Sequence, residues 1–243
     1  MNALSTILLI FFHFSTNVTK NTTSQDVLQT MYKRYHNVWH KSLKFNQTTE
    51  RYRNDSLIKT STWYENIVYP DLLRIDFDSA KSSNGVIFRH DSTYVFRNNK
   101  IARSTKDENE LIFFLGGMYA LPFDRVLGHF ADLHYDLSKF HTSTWKGKPV
   151  YVIGAEKDGD KVNQLWIDQE KLVAVRFIKY DDKTKEEGFF EQQIPLKNAW
   201  SETKCSFYIN DKLLQVETYH DVLANAPVDM GIFEPGNIGK QYR

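Results

Sequence analysis

The feature that most constrains the fold is a train of short alternating segments separated by turn residues. In "YPDLLRIDFDSA", Leu73, Ile75 and Phe77 alternate with Arg74, Asp76 and Asp78. Successive side chains of an extended chain point to opposite faces, so this stretch reads as a strand with one apolar and one charged face. The reading puts Leu73, Ile75 and Phe77 on the dry side and Arg74, Asp76 and Asp78 in water. Similar segments recur: "SLKFNQTTERYR", "LIKTSTWYENIVY", "GVIFRHD", "STYVFRN", "KPVYVIGAEKDGDKVNQLWID", "KLVAVRFIKY", "EGFFEQQIPL", "TKCSFYIND" and "LLQVETYHDV". Turn signals stand between many of them, at Pro70-Asp71, Asn84-Gly85, Asn98-Asn99 and Asp158-Gly159. Strands so closely spaced favour antiparallel pairing. In "KLVAVRFIKY" the alternation sets Val173, Val175 and Phe177 against Ala174, Arg176 and Ile178.

Two segments break the strand pattern. "SQDVLQTMYKRYHNVW" carries Val27, Leu28, Met31, Tyr35, Val38 and Trp39 at helical spacing, with Ser24 as its cap and Asp26 in the first turn. "ENELIFFLGGMYALPFDRVLGHF" reads as short helices punctuated by Gly116, Gly117, Pro122 and Gly128. Its apolar side chains, Leu111, Phe113, Phe114, Leu115 and Met118, fit either a fixed plug or a movable lid hinged at the glycine pair. Trp63, Ile67 and Tyr69 share one strand parity and should face that surface. The "NIGKQYR" end reads as a frayed tail.

With 243 residues, no internal repeat and no linker, the chain is read as a single domain over 20–243. The fold class is mainly β with some helix. Lys plus Arg number 31 and Asp plus Glu 30, a balance that gives no electrostatic case for nucleic acid. The lone Cys205 can form neither an internal disulfide nor a cysteine-based zinc site by itself. Before Lys20 the N-terminus has no charged side chain, and Leu4 to Phe14 is apolar but short for a membrane span. Residues 1–19 are read as a signal peptide, which makes the protein exported.

No motif of nucleotide binding, serine hydrolysis or zinc peptidases occurs. The densest polar cluster, His129, Asp132, His134, Asp136 and His141, lacks the spacing of a metal site. Glu65 is less easily set aside, because it shares parity with Trp63, Ile67 and Tyr69. An exported chain rich in aromatics, with 17 Phe, 13 Tyr and 5 Trp but no reactive constellation, suits a binding protein better than an enzyme.

The order of elements resembles a known family. An amphipathic helix is followed by "TWYENIVYPDLLRIDFD", whose two strands meet at Pro70, and by "GVIFRHDSTYVFRNN". The helical insert comes next. "WIDQEKLVAVRF" then carries Trp166 to Asp168 and Arg176, and "NAPVDMGIFEP" closes with Phe233 and Pro235. From about residue 24 to about residue 236 this resembles the periplasmic lipoprotein carriers, LolA-like, and the outer-membrane lipoprotein-sorting proteins. The resemblance implies an incomplete antiparallel β-barrel, lidded by helices over a concave apolar cavity that accepts an acyl chain of a lipid or lipoprotein. It implies no cofactor, no metal and no catalytic residue. Inner- or outer-membrane sorting proteins would be partners, and the periplasm the location. The cavity would be lined by Trp63, Ile67, Tyr69, Leu73, Ile75, Phe77, Phe88, Tyr94, Phe96, Phe113, Phe114, Met118, Val173, Val175 and Phe177. The best-known carriers have an arginine before the proline that corresponds to Pro70, tying lid to barrel, where this chain has Tyr69. Two other readings stay open: an interaction or sensor domain of the same fold, and an exported enzyme using Glu65 or the His129–His141 region.

Overall fold

A computed structural model describes residues 23–181 and 183–240. The signal peptide read at 1–19 lies outside the described residues, as do residues 241–243. The chain opens with α1 (Ser24–Tyr35), whose buried stripe is Val27, Leu28, Met31 and Tyr35. Thr23, not Ser24, is the cap: its hydroxyl oxygen accepts the Asp26 N–H at 3.1 Å. Ser24 is buried and donates instead to the Lys139 carbonyl at 2.6 Å. Val38 lies beyond the helix end and is exposed.

Six strands follow in hairpin succession: β1 (Ser42–Arg53), β2 (Ser56–Val68), β3 (Leu72–Phe77), β4 (Gly85–Arg89), β5 (Ser92–Arg97) and β6 (Lys100–Lys106). The helical insert is α2 (Glu110–Phe114), a 3-10 turn over Gly117–Ala120, and α3 (Phe123–Asp132). The chain returns through β7 (Phe140–Trp145), β8 (Lys148–Ile153), β9 (Gln164–Asp168), β10 (Ala174–Tyr180) and β11 (Lys185–Glu191). A small separate hairpin, β12 (Ile194–Leu196) with β13 (Ala199–Ser201), precedes β14 (Lys204–Ile209) and β15 (Lys212–Ala224). Asn54-Asp55, Asn98-Asn99 and Asn210-Asp211 all have positive φ at both residues. Such pairs close two-residue hairpins whose twist matches that of the strands.

Thirteen strands form one antiparallel sheet in the order β6-β5-β4-β3-β2-β1-β15-β14-β11-β10-β9-β8-β7. β15 returns to pair with β1 and joins the two halves. The edges β6 and β7 do not pair with each other, so the sheet is an open half-barrel.

The helices fill the concave side of one half. Val27, Met31, Phe113, Phe114, Met118, Val126 and Phe130 pack with Leu165, Ile167, Phe177 and Phe190 of the sheet in one buried cluster. At β10 a bulge sets Ala174 opposite Ile167 and Arg176 opposite Trp166, so the expected alternation fails. Val173, Ala174 and Phe177 all join the inner cluster, while Val175 packs outside with Val150, Val152 and Trp166. Arg176 lies over the rings of Trp145 and Trp166, 4.5 and 4.4 Å from their centroids, and pairs with Glu187.

The convex face of β3 is not wet as the sequence reading had it. Arg74 and Asp76 are 6% and 5% exposed. The Arg74 Nη2 donates to Asp76 Oδ1 at 2.8 Å, and Nη1 donates to the Ile232 carbonyl at 3.0 Å. Ile232 belongs to the chain end that follows β15, where a 3-10 turn over Met230–Phe233 packs on β3 and β4. Its Phe233 is fully buried, and Glu234 pairs with Arg89. Only Asp78 of the three expected wet residues is exposed. Register places Tyr94 with Ile87 and Arg74, and Phe96 with Gly85 and Asp76. Tyr94 and Phe96 therefore lie on this convex side, and Phe96 also borders the recess that opens beside Trp63 and Phe77. Phe96 is buried, with the Arg74 guanidinium 5.0 Å from its ring centroid.

Candidate functional site

Cross-strand register assembles the other half of the concave face. Leu43, Ile67, Leu73 and Phe88 form one row, Phe45, Glu65, Ile75 and Val86 the next, and Gln47, Trp63 and Phe77 the third. Leu73 and Ile75 are buried, but Ile67, Trp63, Phe77, Val86 and Phe88 are only partly covered. This is an apolar trough with an open end. At that end a recess of about 510 Å³ lies between Trp63 and Phe77, rimmed by Arg51, Lys59 and Arg97. At the other end α2 closes the trough with Leu111, Ile112 and Leu115, leaving a cavity of about 80 Å³.

One hydrogen bond ties this lid to the wall. The Tyr69 hydroxyl donates to the Leu115 carbonyl at 3.1 Å, and burial holds its pKa well above the usual tyrosine range. The neutral side chain at this position thus makes a single contact in place of the charged fork expected of an arginine. Gly116 and Gly117 permit the approach: a Cβ at Gly116 would strike the rings of Trp39 and Tyr69, and one at Gly117 the Pro70 carbonyl. Gly117→Ala is therefore expected to lift α2 from the wall and cost about 1–3 kcal/mol of overpacking strain. Chemical denaturation measures it, and a variant as stable as the wild type removes close packing as the reason for this glycine.

The cavity wall carries an unexpected charge set. Glu65 on β2, Glu202 before β14 and Glu217 on β15 all line the cavity and are buried. Glu217 accepts from Gln215 Nε2 at 2.6 Å and from the Tyr219 hydroxyl at 3.1 Å. Tyr219 also sits 3.3 Å from the Cys205 Sγ. Burial, followed by the nearby Glu217 charge, raises the Glu65 carboxyl well above the usual range. Burial likewise pushes Glu202 up to about 8, and raises Glu217 against the hydrogen bonds that favour its anion. Carboxyls so placed hold their protons near neutrality.

Of the expected cavity residues, Trp63, Ile67, Tyr69, Leu73, Ile75, Phe77 and Phe88 come together here. Phe113, Phe114, Met118, Val173 and Phe177 belong to the filled cluster next door. Ile112, Phe45, Glu202, Glu217 and Tyr219 line the cavity and were not anticipated. The parity of "LLQVETYHDV" did place Glu217 and Tyr219 on one face, but it could not say which face turned inward. The histidines do not converge. His129 stands 3.6 Å from Glu108, and His141 bonds to Asp158 at 2.9 Å and to the Ala155 carbonyl at 3.0 Å. Among the described residues no group of His, Cys, Asp and Glu could hold a metal ion. Among the same residues no helix is long and apolar enough to cross a membrane.

No family model and no curated protein matches the sequence. Solved structures do match the fold. A DUF1329 family protein from Desulfovibrio piger aligns over 88% of this chain and 97% of its own, with TM-score 0.58 and 13% identity. An outer membrane lipoprotein-sorting protein domain from Vibrio parahaemolyticus aligns over 88% and 97%, with TM-score 0.57 and 10% identity. A LolA superfamily protein from Nitrosomonas europaea aligns over 88% and 98%, with TM-score 0.55 and 8% identity. The fold is LolA-like, an open antiparallel half-barrel with few helices.

Proposed function

We propose that this chain is an exported, periplasmic binding protein that shelters the acyl chain of a lipid or lipoprotein in the trough between β1–β5 and α2. It would act as a single half-barrel domain over residues 20–243, without covalent chemistry and without a cofactor. The observation that carries this reading is the unfinished apolar face. Helices fill one half of the concave side, yet Ile67, Trp63, Phe77, Val86 and Phe88 remain partly uncovered beside the small cavity under α2. Each methylene laid on such a surface is worth about 0.8 kcal/mol, so a chain of ordinary length binds without charge contacts. Three buried acids with no cation beside them would also turn away a free anion, which favours an apolar cargo over an anionic metabolite. Delivery to inner- or outer-membrane sorting proteins follows from the same reading.

The test is titration of the delipidated protein with a fluorescent long-chain acyl ester, whose head is uncharged, alongside Trp63→Ala and Phe77→Asp. Saturable binding by the wild type, weakened in both variants, is expected. Phe77→Asp places a charge on the trough floor, which costs several kcal/mol when unpaired. Absence of saturable binding by the wild type ends the carrier reading.

A further inference from the structure

We propose that the ligand of this cavity bears a cationic amine, received by Glu65 and its neighbours, with its apolar chain running out along Ile75, Phe77 and Trp63. This rests on the binding role proposed above and names the chemistry of the ligand's head. Glu65 is only 6% exposed, lines the small cavity under α2, and has neither a hydrogen bond nor an ion pair among the described residues. On the next row of the same face, beyond the residues that line the cavity, Gln47 is fully buried and its Nε2 donates to the Thr49 Oγ1 at 2.9 Å, but its Oε1 has no partner. The Gln47 Oε1 is an acceptor, and Glu65 once ionised offers only acceptors, so the partner that would satisfy both is a donor. An ammonium group supplies three donors and no acceptor.

Charge points the same way. Glu65, Glu202 and Glu217 line one cavity, and none of them pairs with a Lys, Arg or His among the described residues. The other titratable groups facing them are Tyr69 just after β2, Tyr219 on β15 and Cys205 on β14, while the lid contributes Asn109, Leu111, Ile112 and Leu115. Among the described residues no positive group lines the cavity to balance the acids. A cation entering the cavity would bring the counter-charge and draw these carboxyls back to their ionised form. The cavity of about 80 Å³ admits a head of about three non-hydrogen atoms, each near the volume of a water. A compact primary amine meets that limit.

The probes are dodecylamine, dodecanoic acid and dodecan-1-ol, one chain with three heads, titrated calorimetrically into the delipidated full chain at pH 6.5 and pH 8. The amine is expected to bind at least about tenfold more tightly than either of the others, a factor readily resolved by titration. Glu65→Gln keeps the shape of the protonated acid and should erase most of that preference, and Glu217→Gln should weaken it. Equal affinity for the three probes, or a preference for the acid or the alcohol, overturns the amine head and leaves the carrier role standing. A preference for the amine that survives Glu65→Gln also overturns it. Binding of none of the three overturns the carrier role and the amine together.

Discussion

Asp76→Asn is expected to destabilise the protein by about 3 kcal/mol, because it strips the counter-charge from a buried arginine. The Arg74 guanidinium donates to Asp76 through both Nε and Nη2, at 3.0 and 2.8 Å. After the substitution it keeps the Ile232 carbonyl and the face of Phe96, so it is not bare. These contacts satisfy donors but do not neutralise charge, which sets the effect at the lower end of what a broken buried pair costs. Asp78→Asn is the internal control. It lies just past the end of β3 in a left-handed conformation that Asn also adopts, is exposed, and should move stability by no more than about 0.5 kcal/mol. Urea denaturation of both variants decides the matter. If the two behave alike, the covered convex face is wrong.

That pair also marks where sequence reading stops. The alternation in "LLRIDFD" located the strand and its inward face, since period-two patterning is local information. It could not reveal that residues 230–233, more than a hundred positions later, fold back over the charged side. A strand buried on both faces by unlike layers looks the same in sequence as a half-wet one. The same limit explains Tyr94, whose aromatic character suited a cavity but whose register places it on the convex side. Val175 went astray for a different reason. One extra residue at the β10 bulge shifts the facing of what precedes it, and nothing in "KLVAVRFIKY" announces a bulge. The half-barrel itself was legible, because element order and turn chemistry are spread along the whole chain.

The candidate site was half legible. Its apolar residues were found by parity, and Glu65 was singled out because it stood among Trp63, Ile67 and Tyr69. Its acidic partners were not. Glu202 lies in a connection and Glu217 on the last strand, and only the β1–β15 pairing brings the latter to the cavity wall. The outcome is an apolar trough with an acid-lined cavity at one end. On the proposed reading the trough would supply affinity for a long chain, while the acids would choose among heads.

The acids also impose a pH dependence on the empty protein, and this is the second large effect expected. Glu202 ionises near 4.5 when exposed and at about 8 in the fold. Between those values the folded state holds a proton that the unfolded state has released. The stability contributed by this group is therefore complete below pH 4.5 and is lost as pH rises toward 8, by up to about 1.4 kcal/mol per unit. Glu65 and Glu217, also raised, add losses of the same sign. His40 works in the opposite direction. It is 3% exposed, with neither ring nitrogen bonded, and burial lowers it from 6.5 to about 4. Its charging in the unfolded state withdraws stability as pH falls from 6.5 to 4. Between pH 4.5 and 6.5 the His40 gain offsets the Glu202 loss, and between pH 6.5 and 8 the fall should be uncompensated. Denaturant unfolding at three pH values across that interval measures the slope. In Glu202→Gln the slope should flatten, and the variant should exceed the wild type by a few kcal/mol at pH 8. A slope identical in the two proteins would mean that Glu202 is ionised within the fold and that the cavity is wetter than its walls imply.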